Sequence, residues 1–394
     1  MTSKTRLIAA LVVALASAHT AQAQNADRFT LSGFGTLGVV HSTEDQADFR
    51  GDFQIDRGAG ASQRTSMKPD SRVGVQLDAR FTDDFSGVVQ VVSEHAITGS
   101  YTPEVSLAHV RYRVSPDLTA RLGRITAPLY MLSEYQRVGY ATPWVRPPYE
   151  VYNYLLPLDG IEAVYSISAG DAVIGVQGFY GQIDSERVRV DGLRGIALQM
   201  DAGSHVARVS HIRGRVGYST PSVEQLFDTY RSLPVPGLAA MAERLDPRKV
   251  DGSFTGVGYS FDPGSWFLRT EAIQADYTPS LSARTRSGYV SAGLRRGAVT
   301  PSLTFAHVDT DGLEAPGAAD PFGLLNMAVA ANNASRHSIT AAVRWDVRDR
   351  IALKLQGSHV DNHAGSFGSL GNVQPGFETG RSYRLVSASV DFVF

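Results

Sequence analysis

Hydrophobic and polar positions alternate one by one along most of this chain. Between Asp70 and Phe81, the residues Val73, Val75, Leu77, Ala79 and Phe81 form one row, and Arg72, Gly74, Gln76, Asp78 and Arg80 form the other. Successive side chains of a β-strand point to opposite faces, so such a segment has one oily face and one wet face. The same rhythm sets Ile161, Ala163, Tyr165 and Ile167 against Gly160, Glu162, Val164 and Ser166. It sets Ile339, Ala341, Val343, Trp345 and Val347 against Ser338, Thr340, Ala342, Arg344 and Asp346, and Ile351, Leu353 and Leu355 against Ala352, Lys354 and Gln356. At the chain end Val386, Ala388, Val390, Phe392 and Phe394 alternate with Ser387, Ser389 and Asp391. These segments run to about ten residues, the length of a tilted strand that crosses a bilayer. Strands of soluble sheets centre on roughly five or six.

The connections fall into two alternating classes. Tight turns rich in Gly, Pro and Asp are predicted at 82–84, 115–117, 169–171, 202–203, 262–264, 296–297 and 348–349. Longer segments lie between them, at 42–70, 96–103, 126–159, 181–192, 214–253, 277–286, 309–335 and 360–382. Short turns at one end and long loops at the other is the asymmetry of a transmembrane β-barrel. The count is about sixteen strands; boundaries read this way shift by two to four residues and leave fourteen or eighteen open. Aromatic residues gather beside the short turns: Phe81, Phe85, Tyr112, Phe261, Trp266, Trp345 and Phe394. That is where a girdle at one membrane interface belongs. Ser222–Leu233 reads as a short helix with a Ser222/Gln225 capping box inside a long loop, and Leu324–Ala331 as a second.

The chain start predicts export. Lys4 and Arg6 precede the apolar run Leu7–Ala18, which is too short to span a bilayer, and Ala21-Gln-Ala23 offers the small residues of a cleavage site. The expectation is a signal peptide over 1–23 and one barrel over 24–394, with no linker dividing it. There is no cysteine, so no disulfide scaffold holds the exported chain. No later run approaches the 18 or so consecutive apolar residues of a membrane helix. The net charge of −2 turns slightly more negative once Lys4 and Arg6 are removed. No basic footprint for nucleic acid is present.

A barrel of about sixteen strands is too wide for side chains to fill and leaves an aqueous lumen. Strand parity points Arg72, Arg80, Arg111, Arg113 and Arg121 into that lumen. The third long loop, Ala127–Leu158, carries far more Tyr, Trp, Leu and Pro than an exposed loop needs. Folding inward against the wall would bury them; packing at an oligomer interface is the alternative.

At this point the chain resembles the Gram-negative general porins. The resemblance rests on the first mature strand Phe29–Val40, on Leu122-Gly-Arg124 entering the third loop, and on the closing Ser-Val-Asp-Phe-Val-Phe394. It implies an all-β transmembrane barrel, a third loop folded inward to set the pore, a homotrimer in outer-membrane lipid and lipopolysaccharide, and a terminal Phe394 that signals to the barrel-assembly machinery. It implies no cofactor and no enzymatic activity. By matching position Arg124 resembles a wall arginine, although simple parity puts it on the lipid side, so an inward place requires the strand to bend. Glu134, Glu150 and Asp159 are the loop acids the resemblance suggests. The loop departs from the family pattern: Thr142–Glu150 stands where an acidic, glycine-rich tip is usual, with Arg137 and Arg146 added. Rings of Arg favour anions, so a neutral to anion-leaning pore is expected.

Other motifs are weak. Gly33–Gly38 matches a dinucleotide-binding pattern but lies in a predicted strand. Ten histidines include no H-E-x-x-H; His205 and His211 share parity without a completing ligand, and Asp309-Thr-Asp-Gly312 lacks the later acids of a calcium loop. Three function classes therefore compete. A passive pore is preferred. A barrel hydrolase would need a Ser and a His together on the lipid face; His109 and Ser106 are the nearest pair, but parity points His109 inward and Ser106 outward. A soluble exported β-sandwich or propeller predicts short strands and no turn asymmetry.

Overall fold

The computed structural model describes residues 28–153, 157–281, 284–311, 317 and 320–394, and the statements below concern these residues. The expected leader and the end of the Asp309–Gly312 motif lie outside them. Sixteen long strands follow one another: β1 Phe29–Ser42, β2 Arg72–Arg80, β3 Phe85–Glu94, β4 Glu104–Arg113, β5 Leu118–Thr126, β6 Pro157–Ala169, β7 Ala172–Asp184 and β8 Val188–Ala202. Then come β9 His205–Tyr218, β10 Val250–Phe261, β11 Trp266–Asp276, β12 Thr285–Leu294, β13 Val299–Thr310, β14 Arg336–Arg348, β15 Ile351–Asn362 and β16 Ser382–Val393. Each pairs antiparallel with its sequence neighbours.

The sheet closes because β1 pairs with β2 on one edge and with β16 on the other. Phe34 stands opposite Val393, and Gly33 and Phe394 exchange both backbone hydrogen bonds at 3.1 and 3.0 Å. A closed sheet has no edge, so every strand amide finds its partner within the chain. The apolar row faces outward, as the alternation predicts. Leu37, Leu122, Ile196, Leu303, Ile339, Leu355 and Val386 are exposed, whereas soluble cores hide such residues. Phe81, Phe85, Tyr112, Trp266, Trp345 and Phe394 are exposed beside the short-turn ends, and Phe81 packs on Phe85 at 5.4 Å between ring centres.

Three expectations need correction. The loop expected over 181–192 is only Ser185-Glu-Arg187, because β7 and β8 extend to Asp184 and Val188. Polar residues in that stretch belong to strand ends. The first loop helix, α1 Pro221–Ser232, is capped by Thr220, whose hydroxyl accepts from the Val223 N–H at 3.2 Å, and not by Ser222. Pro221 starts it, since its fixed φ and missing N–H suit the first helical position. A helix that the sequence reading did not include, α2 Leu238–Leu245, follows Gly237, whose φ of +80° turns the chain into it. The last loop helix, α3 Leu324–Ala331, has the expected bounds.

The inner wall is not uniformly polar. Ile183, Val188, Val190, Leu193, Ile212, Phe254 and Ile273 form one buried cluster with Leu129, Tyr130, Val151 and Tyr152 from the β5–β6 connection. A separate cluster, with Phe227, Tyr230, Leu245, Leu281 and Leu325, binds the three loop helices together.

The two faces make a direct prediction. Leu355 lies mid-strand and is 57% exposed in the outward row. Leu355→Arg should cost roughly 2–4 kcal/mol when the protein unfolds from lipid vesicles. Ser166→Arg, in the opposite row of β6, should cost well under 1 kcal/mol because it carries no charge into lipid. Equal costs for the two would refute the facing.

Candidate functional site

The β5–β6 connection brings the chemistry together. Its hydrogen bonds reach strands far around the barrel, always on the row opposite the exposed apolar one. Trp144, only 1% exposed, donates its indole N–H to Thr304 Oγ1 on β13 at 3.0 Å. Arg344 of β14 donates to the carbonyls of Tyr140 and Thr142. Lys354 of β15 donates to the carbonyls of Gly139 and Trp144, at 2.5 and 2.9 Å, and pairs with Asp391 of β16 at 3.1 Å. Asp391 accepts in turn from Thr36 and Ser389. Gly139 is needed here, because a Cβ on it would collide with Asp391 Oδ1 and Thr36 Oγ1. The Met131 N–H donates to Glu271 of β11 at 3.0 Å, and the Tyr152 hydroxyl donates to the other oxygen of that carboxylate.

Ion pairs add to this. Arg146 meets Asp70 through two bonds of 2.9 and 2.6 Å, both side chains buried, with its guanidinium 4.5 Å from the Phe49 ring centre. Glu150 accepts from the buried Arg336 of β14 at 3.0 Å. Arg137 donates to Glu94 of β3 at 2.8 Å, and Arg72 stands opposite Glu94 in the β2–β3 ladder. Glu134 accepts from Arg121 at 2.8 Å; Arg121 also pairs with the fully buried Glu162, which accepts from Gln177. Of the sequence-derived residues, Arg72, Arg121, Glu134, Arg137, Arg146 and Glu150 thus surround or belong to one segment.

The others lie elsewhere. Arg113 donates to Asp84 Oδ1 and the Asp83 carbonyl, at the short-turn end of the barrel. Arg80 and Arg111 lie towards the same end and are exposed. Arg124 and Asp159 form a two-bond pair at 2.8 Å each, in the ladder row of Leu122 and Ile161. That ladder runs without a register shift from Leu118 to Thr126, but Gly123 has a φ of +128°, and Arg124 borders the same long-loop space as Arg72, Arg137 and Arg146. Its guanidinium also reaches the Val105 carbonyl at the rim. The outward direction expected for Ser106 is also corrected. A bulge between Gln90 and Val91 shifts the register, and Ser106 donates to Gln90 Oε1 at 2.8 Å. A bulge moves every later side chain to the other face.

Two spaces wide enough to hold many waters flank the segment. One, of about 430 Å³, lies towards the long loops and is bordered by Asp52, Arg72, Glu94, Glu104, Arg137 and Arg146 among others. The other, of about 500 Å³, lies towards the short turns and is bordered by Arg121, Glu134, Gln177, Asp201, Arg208 and Arg269. The sequence reading missed Arg208 and Arg269. Parity on β9 and β11 points to both. Among the described residues neither has a carboxylate partner: Arg208 donates to Gln177 and the Pro128 carbonyl, and Arg269 lies 5.0 Å from the Phe267 ring centre.

No protein-family model matches the chain, and no curated protein sequence is similar to it. Solved structures are. An anion-selective porin from Comamonas acidovorans superposes with a TM-score of 0.60 at 14% identity, covering 93% of this chain and 99% of that one. OmpF of Salmonella typhi, in complex with daunomycin, gives 0.57 at 10% identity, with 94% and 99% covered. The outer-membrane channel DcaP of Acinetobacter baumannii gives 0.55 at 13% identity, with 93% and 97% covered. The fold is that of the bacterial outer-membrane porins.

Within this porin fold the Lys354–Asp391 pair anchors the β5–β6 connection through the two carbonyls that Lys354 also reaches. Lys354→Met would leave Asp391 buried and unpaired and two carbonyls without a donor. Loss of one partner of a buried pair costs about 3–5 kcal/mol. Limited proteolysis of the folded variant should then cut within 127–153, where the parent chain resists; equal resistance would contradict the anchoring.

Asp52, in the β1–β2 connection, supplies a pH test. Burial pushes its carboxyl up to about 6, the Gln54 N–H pulls it down, and Glu94 raises it further. Below that value the carboxyl is neutral, and above it a negative charge appears beside Glu94 and Arg137. If ions pass through the barrel, their reversal potential in salt-gradient recordings of the parent chain should move towards the cation side between pH 5 and 7. Asp52→Asn should remove most of that change.

Proposed function

We propose that this chain is an exported outer-membrane porin of a Gram-negative bacterium, a water-filled channel for passive diffusion of small polar solutes and ions. In this reading the segment between β5 and β6 folds into the lumen and sets its width. One observation carries the proposal. The segment is hydrogen-bonded to inner-row residues on β3, β5, β11 and β13–β16, with spaces wide enough to hold many waters on both sides of it. A barrel of this size without such a plug would be an open tube.

Basic groups without a carboxylate partner stand at the narrow part. Glu94 and Glu150 are each paired with an arginine, Asp70 with Arg146, and Glu134 and Glu162 share Arg121, while Asp52, Glu104 and Asp201 also border the spaces. Arg72, Arg208 and Arg269 border the spaces with no carboxylate within ion-pair distance among the described residues. Unpaired guanidinium groups along a pore attract anions. Fixed charges on the wall act at short range, since physiological salt screens them over about 8 Å.

Further parts of the reading follow from the resemblance noted above. The leader over 1–23 is removed on export, Phe394 is presented to the assembly machinery, and three copies associate in lipid and lipopolysaccharide. A barrel hydrolase is disfavoured, because Ser106 is buried and committed to Gln90 while His109 contacts the Arg124 carbonyl. A substrate-specific channel is the second reading, favoured by the apolar stretch of inner wall on β7–β11.

Single-channel recording in a planar bilayer tests the proposal. The expected result is stable ohmic steps, with a reversal potential in a KCl gradient of the sign for chloride preference. Replacing both Arg208 and Arg269 by Gln should move that potential towards the cation side without closing the channel. A correctly folded but electrically silent protein would overturn the pore reading.

A further inference from the structure

The inner wall of this barrel should be wet, yet its long-loop half is apolar from β7 to β13. Ile183, Val188, Val190, Ile212, Phe254 and Ile273 all turn inward there and are buried. Part of that surface is covered by Leu129, Tyr130 and Val151 of the β5–β6 connection. The rest borders a space of about 560 Å³. Helices α1 and α3 close over it with Val223, Leu226, Ala328 and Ala331. The roof is tied down away from the cavity, where the Tyr230 hydroxyl donates to Asp320 at 2.7 Å.

Passive passage of polar solutes does not require this surface. Water gains few hydrogen bonds against such walls. Small-molecule sites typically occupy about 300–1,000 Å³, with mostly apolar walls and a few polar groups that fix orientation. Of the charged groups on its border, Arg336 and Glu150 pair with each other and Arg213 is exposed, which leaves Arg50. It borders the cavity, donates to the carbonyls of Ile55 and Ser369 at 3.3 and 3.0 Å, and pairs with no carboxylate among the described residues. Its Nε is buried and has no acceptor. Each terminal nitrogen of the guanidinium makes one hydrogen bond and carries a second N–H that an anionic oxygen could accept from.

We propose that this cavity is a binding site for small amphiphilic anions, with an apolar ring or short acyl body against Ile212, Phe254 and Ile273 and a carboxylate at Arg50. The proposal deepens the channel reading by naming a solute class that would dwell on its way through. Binding can be measured whether or not the protein conducts, so the two readings fail separately.

The test uses the full-length protein folded in detergent, with benzoate, acetate and benzyl alcohol as probes in calorimetry. Benzoate should bind at least tenfold more tightly than acetate, which lacks the apolar body, and than benzyl alcohol, which lacks the charge. Arg50→Gln should weaken benzoate tenfold or more and leave benzyl alcohol unchanged. Ile212→Ser should weaken benzoate and leave acetate unchanged. Heat-resistant migration in gels and unchanged ion current in bilayers would show that both variants fold. Equal affinity for benzoate and acetate would reduce the site to a general anion contact and overturn the proposal. So would benzoate binding that survives Arg50→Gln, or no benzoate binding at all.

Discussion

Closure of the sheet is the constraint on which everything else here depends. In hydrocarbon an unpaired backbone amide costs several kcal/mol, and a sheet avoids that cost only by meeting its own first strand. The meeting is made at the two ends of the chain, where β1 pairs with β16 and Gly33 exchanges hydrogen bonds with Phe394. Once closed, the sheet divides space into an outside that suits Leu303, Ile339 and Leu355 and an inside that must take the other row. The alternation along the sequence is the one-dimensional trace of that division.

That origin explains what the sequence made legible. Strand number, facing and the two classes of connection follow from a period of two and from turn residues, both of which are local. So does the inward direction of Arg72 and Arg121. The partners of the loop residues are not local. Asp70 and Arg146 are 76 positions apart, and Glu150 and Arg336 are 186 apart; nothing in either neighbourhood marks the other. Parity also fails wherever a ladder slips. The bulge beside Gln90 turned Ser106 inward, and no residue type at that point announces it. Arg124 shows the converse: the ladder there does not slip, yet Arg124, after the irregular Gly123, borders the long-loop space from the row that parity puts outside.

Buried charge inside the barrel follows a consistent logic. Lys354, Asp391, Arg336, Glu150, Arg146 and Asp70 are nearly inaccessible, and each charge faces an opposite charge. Such pairs add little net stability over an apolar pair of the same size, because desolvation consumes most of the Coulomb gain. Their value is positional. An oily segment could slide along an oily wall, but Arg146 meets Asp70 in one geometry only, and Lys354 accepts only an arrangement that brings two particular carbonyls and Asp391 together. The segment is thereby fixed at several points around the ring, which a pore of constant width requires.

The apolar stretch on β7–β13 shows the same wall serving a second demand. A segment held only by ion pairs would leave its own Tyr, Leu and Val residues in water, so part of the wall had to become oily to receive them. Leu129, Tyr130 and Val151 use that surface, but they do not cover it all. The uncovered remainder is roofed by loop helices with their own apolar core, a more elaborate arrangement than a loop at a channel mouth needs. The roof contributes Val223 and Leu226 to the cavity, while its polar residues, such as Glu224 and Asp228, stay exposed. The surfaces that turn inward on wall and roof are thus matched to each other in polarity, and the half-buried Arg50 stands between them without the carboxylate that Arg336 has in Glu150. A charge beside apolar surfaces that is held by backbone carbonyls and not by a carboxylate is the arrangement that recognition of an amphiphile calls for, and it is distinct from the paired charges that hold the segment in place.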